Sequence, residues 1–367
     1  MIRARLGGVE VGEGLPVRVM GAMNASPESF YGGSVVRSPE EALRVASSMV
    51  EEGADIIDVG GMSTAPYVDS RLVPPEVEAS RVVPIIKVLA RELDVPISVD
   101  TTRASVAEAA LRAGAEIVND VSGCKADPSM PRVVAEAGAS VVVGEREDET
   151  PVAGSPISTL RRGLSESLRI CNSSGVDLSR IAVDPGVGFF RRGVEWYKWD
   201  LEVLGGLRRL YPLMRPIAVG VSRKSFIGKV LGLPDPGERL IGTVAAEAVA
   251  AFAGAHLVRA HDVREAVQAV RVGEAMRPRL RSAGSAVDLT RFLEPEDGWS
   301  PGHISMAIAL RPEEIPGAIE EVEGIGGSAL EVAPGAILIS VRADLCGRLR
   351  GSGNPALSGA AELCAQV

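Results

Sequence analysis

Residues 51–60 read EEGADIIDVG, and the same construction returns as RAGAEIVNDV (112–121), EAGASVVVGE (136–145) and FAGAHLVRAHD (252–262). Each copy starts in the tail of a helical stretch, turns at Gly-Ala and enters a short β-branched run. Glycine suits the left-handed position that ends a helix, here Gly53, Gly114, Gly138 and Gly254. Apolar runs without polar alternation suit strands covered on both faces, as in a parallel sheet. The repeat is a helix-to-strand junction.

Eight strand candidates follow from that reading: 17–24 (VRVMGAMN), 55–60 (DIIDVG), 96–100 (PISVD), 116–120 (EIVND), 140–144 (SVVVG), 180–184 (RIAVD), 216–221 (PIAVGV) and 256–260 (HLVRA). Helix-length segments separate them. In SPEEALRVASSMVEEG (38–53), Leu43, Ala46 and Met49 or Val50 share one side, and Ser38-Pro39-Glu40-Glu41 is an N-terminal cap signal. EVEASRVVPIIKVLAREL (76–93) is similar, with Pro84 expected to bend the helix or move its start. Eight β/α units predict a closed (β/α)8 barrel over residues 1–280. An open doubly wound sheet is disfavoured, because no GxGxxG stands between a strand and a helix.

Beyond residue 280 the rhythm breaks. RSAGSAVDLTRFLEPEDGWSPG (281–302) is rich in turn formers. HISMAIAL (303–310), PEEIPGAIEEVEG (312–324), SALEVA (328–333) and AILISVRADL (336–345) then read as strand, helix, strand, strand. Residues 281–367 are expected to form a small α+β extension, whose last stretch (351–367) frays or makes a short helix.

Composition narrows the function. The 367 residues are 46% apolar with a net charge of −9, which disfavours a nucleic-acid surface. No run approaches a membrane span, and MIRARLGGVEVGEGLPVRV (1–19) lacks the apolar stretch and cleavage site of a signal peptide. Cys124, Cys171, Cys346 and Cys364 form no CxxC pair, and with three histidines a zinc site is not expected. A soluble cytoplasmic protein is the expectation, with neither nucleic acid nor membrane as partner.

Side chains just past the strand ends of such a barrel crowd one rim, where active sites lie. Here those positions hold Asn24, Asp58, Asp100, Asn119 with Asp120, Asp184, Ser222-Arg223-Lys224, and Arg259 with His261 and Asp262. Each has a bland explanation. Asp100 could cap a helix, Asn119-Asp120 could satisfy a turn, His261 could be a structural histidine, and the Arg-Lys pair of GVSRKSFIG (220–228) could be a solvated loop. Together on one rim they make a polar pocket. Asp100, Asn119 and Asp184 suit a flat amino-heterocycle, which pairs donors with carboxylate and amide oxygens. Arg223, Lys224, Arg259 and His261 suit phosphate oxygens or a departing diphosphate.

MGAMNASPESF (20–30), GADIIDVGGMSTAP (53–66), ISVDT (97–101), NDVSG (119–123), DPGVGF (184–189), GVSRKSFIG (220–228), ERLIGTVAA (238–246) and VRAHDV (258–263) resemble, in order, the motifs of the dihydropteroate synthase family. The resemblance covers about residues 15–277. It implies a barrel that joins the methylene carbon of 6-hydroxymethyl-7,8-dihydropterin diphosphate to the amine of p-aminobenzoate, releasing diphosphate in folate biosynthesis. It implies that Asp100, Asn119, Asp184 and Lys224 hold the pterin and that Asn24 lies near Mg2+ and the diphosphate. Arg259 and His261 would bind that diphosphate, with Arg259 also stacking on the pterin, and Lys224, Arg259 and His261 would be the catalytic set. Ser222, with Arg223 beside it and the helix start that follows, would receive the aminobenzoate carboxylate, and Thr64 would contact substrate from the second loop. Loops 24–34 and 61–70 would close over the reaction, and the chain would form a homodimer.

The sequence departs from the family at three places. Gly61-Met62-Ser63-Thr64-Ala65-Pro66 stands where Gly-Glu-Ser-Thr-Arg-Pro is usual, Glu28 replaces Asp, and Gly144-Glu145-Arg146 stands where a Met-His pair is expected. Ala65 motivates an alternative acceptor, such as the ribosylated aminobenzene phosphate of methanopterin-type cofactors. A pterin-dependent corrinoid methyltransferase and a non-catalytic pterin binder are further alternatives. The cations of SRKSFIG and RAHDV argue against the methyltransferase, which releases no diphosphate.

Overall fold

The computed structural model describes residues 2–26, 35–62, 73–145, 152, 154–189, 193–297, 300–352 and 354–366. Glu28, Thr64, Ala65 and Arg146 lie outside the described residues, as does most of the two loops expected to close the site.

A hairpin opens the chain, β1 (Arg3–Leu6) and β2 (Val9–Gly12). The eight expected strands follow as β3 (Arg18–Asn24), β4 (Ile56–Gly60), β5 (Ile97–Asp100), β6 (Ile117–Asp120), β7 (Ser140–Gly144), β8 (Ile181–Asp184), β9 (Ala218–Gly220) and β10 (Leu257–Ala260). They form one parallel sheet in the order β8-β7-β6-β5-β4-β3-β10-β9. A parallel bridge between Val183 and Ile217, with the Val183 N–H donating to the Pro216 carbonyl at 2.9 Å, joins the two ends. The barrel is closed.

The outer ring is α1 (Pro39–Glu51), α2 (Pro75–Glu92), α3 (Ala104–Arg112), α4 (Met130–Glu136), α5 (Pro156–Ser173), α6 (Trp196–Gly205), α7 (Ser225–Leu231), α8 (Leu240–Ala253) and α9 (Val263–Met276). Ser38 caps α1, its hydroxyl accepting the Glu41 N–H at 3.2 Å with Pro39 at the first helical position. The four glycines of the repeat all have positive φ. At Gly114 a side chain is also excluded by packing, because a Cβ there would stand 2.7 Å from the Ala90 methyl. Pro84 neither splits α2 nor moves its start: the helix runs through it, and Pro84 lies on the exposed side, where water can serve the carbonyl it leaves unbonded.

Strand alternation separates the two cores. Met20, Ile56, Ile117, Val142, Ala182, Ala218 and Leu257 point inward and pack with Leu6 and Val11 of the hairpin, which plugs the barrel's lower end. Ladder neighbours share a face, so Ala22 with Asp58, Asp58 with Ser98, and Asp100 with Asn119 also point inward, nearer the mouth. The interior is apolar at the base and polar at the top.

After the barrel come β11 (Ser282–Ala283), β12 (Ala286–Asp288), β13 (His303–Ala309), α10 (Ile315–Gly324), β14 (Ser328–Ala333), β15 (Ala336–Arg342) and α11 (Ser358–Cys364). The sheet is antiparallel, ordered β11-β12-β13-β15-β14. Ile304, Met306 and Ile308 of β13, with Ile337, Ile339 and Val341 of β15, face α10 and α11. The intervening Ala307, Ala336 and Leu338 belong to the barrel's outer core. The sheet is therefore clamped between the barrel and its own helices. A disulfide between Cys346 and Cys364 fastens α11 to the turn after β15, a pairing the sequence spacing did not suggest.

An ionic bolt joins extension and barrel. The fully buried Asp297 carboxylate accepts from Arg209 Nε at 2.6 Å and from Arg161 Nη1, on α5, at 3.2 Å. Removing it takes the carboxylate partner from the largely buried Arg161, while Arg209 keeps Glu294 and Glu296, and breaking such a buried pair costs about 3–5 kcal/mol. Asp297→Ala should accordingly lower the thermal midpoint by several degrees in a melt followed by circular dichroism, and Asp297→Asn should fall between it and the parent.

Candidate active site

Inward positions in the upper half of five strands carry the chemistry: Asp58 on β4, Asp100 on β5, Asn119 on β6, Asp184 on β8 and Arg259 on β10. Arg259 spans the mouth. Its Nε donates to Asp58 Oδ2 at 2.6 Å and its Nη2 to Asp100 Oδ2 at 3.0 Å, while Asn119 Nδ2 donates to the same Asp58 oxygen at 3.2 Å. Asp58 is fully buried, and Asp100 and Asn119 nearly so. The remaining oxygens, Asp58 Oδ1 and Asp100 Oδ1, are buried with no hydrogen-bond partner in the protein. Burial pushes the Asp100 carboxyl up to about 7, with the Arg259 guanidinium pulling against it.

Across the mouth, Asp184 Oδ1 accepts the Gly186 N–H at 2.8 Å. Lys224 Nζ donates to the Val187 carbonyl at 2.5 Å and stands 4.6 Å from the centre of the Phe189 ring. Burial raises the Asp184 carboxyl and lowers the Lys224 ammonium, each opposed by the other's charge. Asn24 borders the same space, because a Cβ on Gly60 would lie 3.5 Å from Asn24 Oδ1 and 3.6 Å from Asp100 Cβ. Ser222 is buried, and its Oγ lies 2.9 Å from His261 Nδ1.

Two expectations need correction. Arg223 does not present its guanidinium to a substrate. Its backbone is left-handed (φ +57°), and the side chain binds Asp262 through both Nε (2.8 Å) and Nη2 (2.9 Å) and donates to the Pro236 and Gly237 carbonyls. It ties the loop after β9 to the loop after β10. His261 is not a cation: burial, then the charges of Arg259, Arg223 and Lys224, push its imidazole down to about 3. Asn24, Asp100, Asn119, Asp184, Ser222, Lys224, Arg259 and His261 stand at the strand ends or the loops beside them; Thr64 lies outside the described residues.

The bland reading holds at Asp120, whose carboxylate accepts from the Ser122 N–H and hydroxyl and the Cys124 N–H and organises a turn. Glu145, where the family motif departs, is a buried partner of Lys125 at 2.6 Å. Gly163 makes room for it, since a Cβ there would fall within 2.3 Å of the carboxyl. Asp58 was visible at a strand end, yet only its register with Ser98 and Ala22 marks it as the anchor of Arg259.

A family model described as pterin binding enzyme matches residues 20–261. The dihydropteroate synthase of Synechocystis sp. is 40% identical over 264 residues, spanning 70% of this chain and 89% of that protein. That of Mycobacterium leprae is 41% identical over 269 residues, spanning 70% and 92%. The chain belongs to the dihydropteroate synthase family. Among solved members of that family, the Xanthomonas albilineans enzyme with 4-aminobenzoic acid superposes with a TM-score of 0.66 at 36% identity, covering 74% of this chain and 97% of that one. The unmatched quarter corresponds in size to the carboxy-terminal extension, and the site described above falls wholly within the matched span.

The Asp100 environment has a measurable consequence. Its folded pKa of about 7 exceeds the ordinary 3.8, so between those values the folded state holds a proton that the unfolded chain has lost. Stability from this group is present at low pH and is lost as pH rises through about 7. Thermal midpoints recorded from about pH 4 to pH 8 should therefore fall less steeply in Asp100→Asn than in the parent.

Proposed function

We propose that this chain is a dihydropteroate synthase that condenses 6-hydroxymethyl-7,8-dihydropterin diphosphate with p-aminobenzoate. The observation that carries the reading is the mouth itself, where carboxylates, an amide, an ammonium and a guanidinium from five strands and one loop face a common space. Asp184 accepts the amino and ring N–H groups of the pterin, and Lys224 donates to its carbonyl oxygen. Asn119 and the unpartnered oxygen of Asp100 complete the ring's hydrogen bonds and answer the burial of that oxygen.

Arg259 uses two of the five N–H groups of a guanidinium on Asp58 and Asp100, and the rest serve the diphosphate. In the reaction the methylene C–O bond breaks with its electron pair going to diphosphate, and electron donation from the dihydropterin ring meets the resulting positive charge. The carboxylates of Asp100 and Asp184 stabilise that electron-poor ring. The arylamine lone pair then forms the C–N bond and the nitrogen gives up a proton. The binding energy is used for alignment and charge stabilisation, since the amine needs no strong base.

Among the described residues no group of three His, Cys, Asp or Glu side chains could hold a metal. Asn24 offers a neutral side-chain oxygen that would help hold a Mg2+ ion, a hard cation suited to oxygen ligands. When bound, the ion neutralises the leaving group. Ser222 would receive the acceptor's carboxylate, and its Oγ lies 2.9 Å from His261 Nδ1.

We also propose a homodimer. Ile241, Ala245, Val249 and Phe252 form an exposed stripe on α8, flanked by Val230 and Leu231 of α7 and by Val272 and Met276 of α9. Ile241, 84% exposed, is the most accessible large apolar side chain of that face.

Diphosphate release with the pterin diphosphate and p-aminobenzoate tests the transferase reading; release only with a ribosylated arylamine would move the acceptor, and none with any amine would end it. Asp184→Ala and Lys224→Ala should each weaken pterin binding by about 2–3 kcal/mol, the value of a charge-assisted hydrogen bond. Ile241→Glu should sediment as a monomer, whereas an unchanged mass would remove α8 from the interface.

A further inference from the structure

One buried carboxylate has no task in the reaction above. Asp200, midway along α6, is 1% exposed and lies behind the loop that follows β8. Its Oδ1 accepts the Gly188 N–H at 2.9 Å, and its Oδ2 is buried with no hydrogen-bond partner. The other end of that same peptide group, the Val187 carbonyl, accepts from Lys224 Nζ at 2.5 Å. One peptide plane thus bridges an anion and a cation, its N–H end on the carboxylate and its C=O end on the ammonium. Each charge favours the orientation that the other requires, and hydrogen bonds in such a chain polarise one another.

Gly188 fixes the arrangement from the backbone side. Its φ is +87°, and a Cβ there would stand 2.1 Å from Lys224 Cδ, so the lysine stem lies directly against the glycine. Phe189, the next residue, holds its ring beneath the ammonium. The Lys224 conformation is set by this peptide, and the peptide's orientation is set from behind.

The geometry points to Asp200 as a positioning residue for Lys224, acting through the Val187–Gly188 peptide; this rests on the reading that Lys224 holds the pterin. Burial raises the Asp200 carboxyl to about 7, opposed first by the Gly188 N–H and then by Lys224. The carboxylate is kept in a water-poor place by the same two groups that it organises.

The test uses the full-length protein and 6-hydroxymethylpterin, whose binding is read by its fluorescence. Asp200→Ala should weaken pterin binding about tenfold or more while leaving the KM for p-aminobenzoate within about twofold. Asp200→Asn keeps an acceptor for the Gly188 N–H and should recover most of the affinity. It should nevertheless lose pterin binding at lower pH than the parent on the alkaline side. The Lys224 ammonium faces Asp184, Asp200 and Asp100 against Arg259, and the variant removes one of those three anions. Comparing the two proteins cancels the titration of the pterin itself.

Parent-like affinity in Asp200→Ala, or an Asn variant as weak as the Ala variant, overturns the assignment. If Asp200→Ala does not fold, the alkaline limb of Asp200→Asn decides, and an unmoved limb overturns it. Should the parent release no diphosphate with any amine, the transferase reading falls while the pterin titration still judges Asp200.

Discussion

The guanidinium of Arg259 is the piece on which the mouth of this barrel depends. Asp58 and Asp100 come from adjacent strands and point into a space closed below by apolar side chains and the hairpin plug. Two carboxylates held that close in little water repel and protonate unless a cation stands between them. Arg259 enters from β10, on the other side of β3, and bonds one oxygen of each. The contact fixes the width of the mouth and leaves one oxygen of each carboxylate for a ligand. It also ties chemistry to register, because a slip of one residue in β4 or β5 would turn its carboxylate toward the helices.

Around this centre the polar residues divide by direction. Side chains that leave the barrel axis hold loops: Arg223 bonds Asp262, Asp120 organises the turn after β6, and Lys125 pairs with Glu145 behind β7. Inward side chains stay incompletely bonded, with Asp58 and Asp100 each keeping an unpartnered oxygen. A buried polar group without a partner is costly unless something arrives to satisfy it. These contacts among the described residues are made before substrate binds, and those of the centre are not.

The sequence carried most of the fold because the barrel repeats one local instruction. Gly-Ala after a helix marked four of the eight strands, and the apolar, β-branched runs between helix-length segments placed all eight within two residues of their observed ends. The first hairpin was not read from the sequence, although Gly7-Gly8 separates two short alternating runs, the usual mark of a tight two-residue turn. The site was legible as a rim and not as directions. Arg223 and Lys224 are neighbours, yet the left-handed backbone at Arg223 sends one side chain to Asp262 and leaves the next over Phe189. The charge of His261 was equally hidden, because it depends on burial and on three cations brought near by the fold. Asp297 and the Cys346–Cys364 disulfide depend on partners distant in sequence, which no spacing rule reaches.

The positions where this chain departs from its family are unevenly distributed, and physics accounts for the pattern. Asp100, Asn119, Asp184, Lys224 and Arg259 stand on strands or directly after them, where packing on both sides and a shared hydrogen-bond network restrict each choice. Met62, Ala65, Glu28 and Arg146 belong by their place in the sequence to the connections that follow β3, β4 and β7. Glu145 marks the border between the two regimes. A carboxylate is held there because Lys125 neutralises it and Gly163 yields the space. The residues proposed to hold the pterin thus stand on the barrel wall, and most of the departures stand in the connections above it.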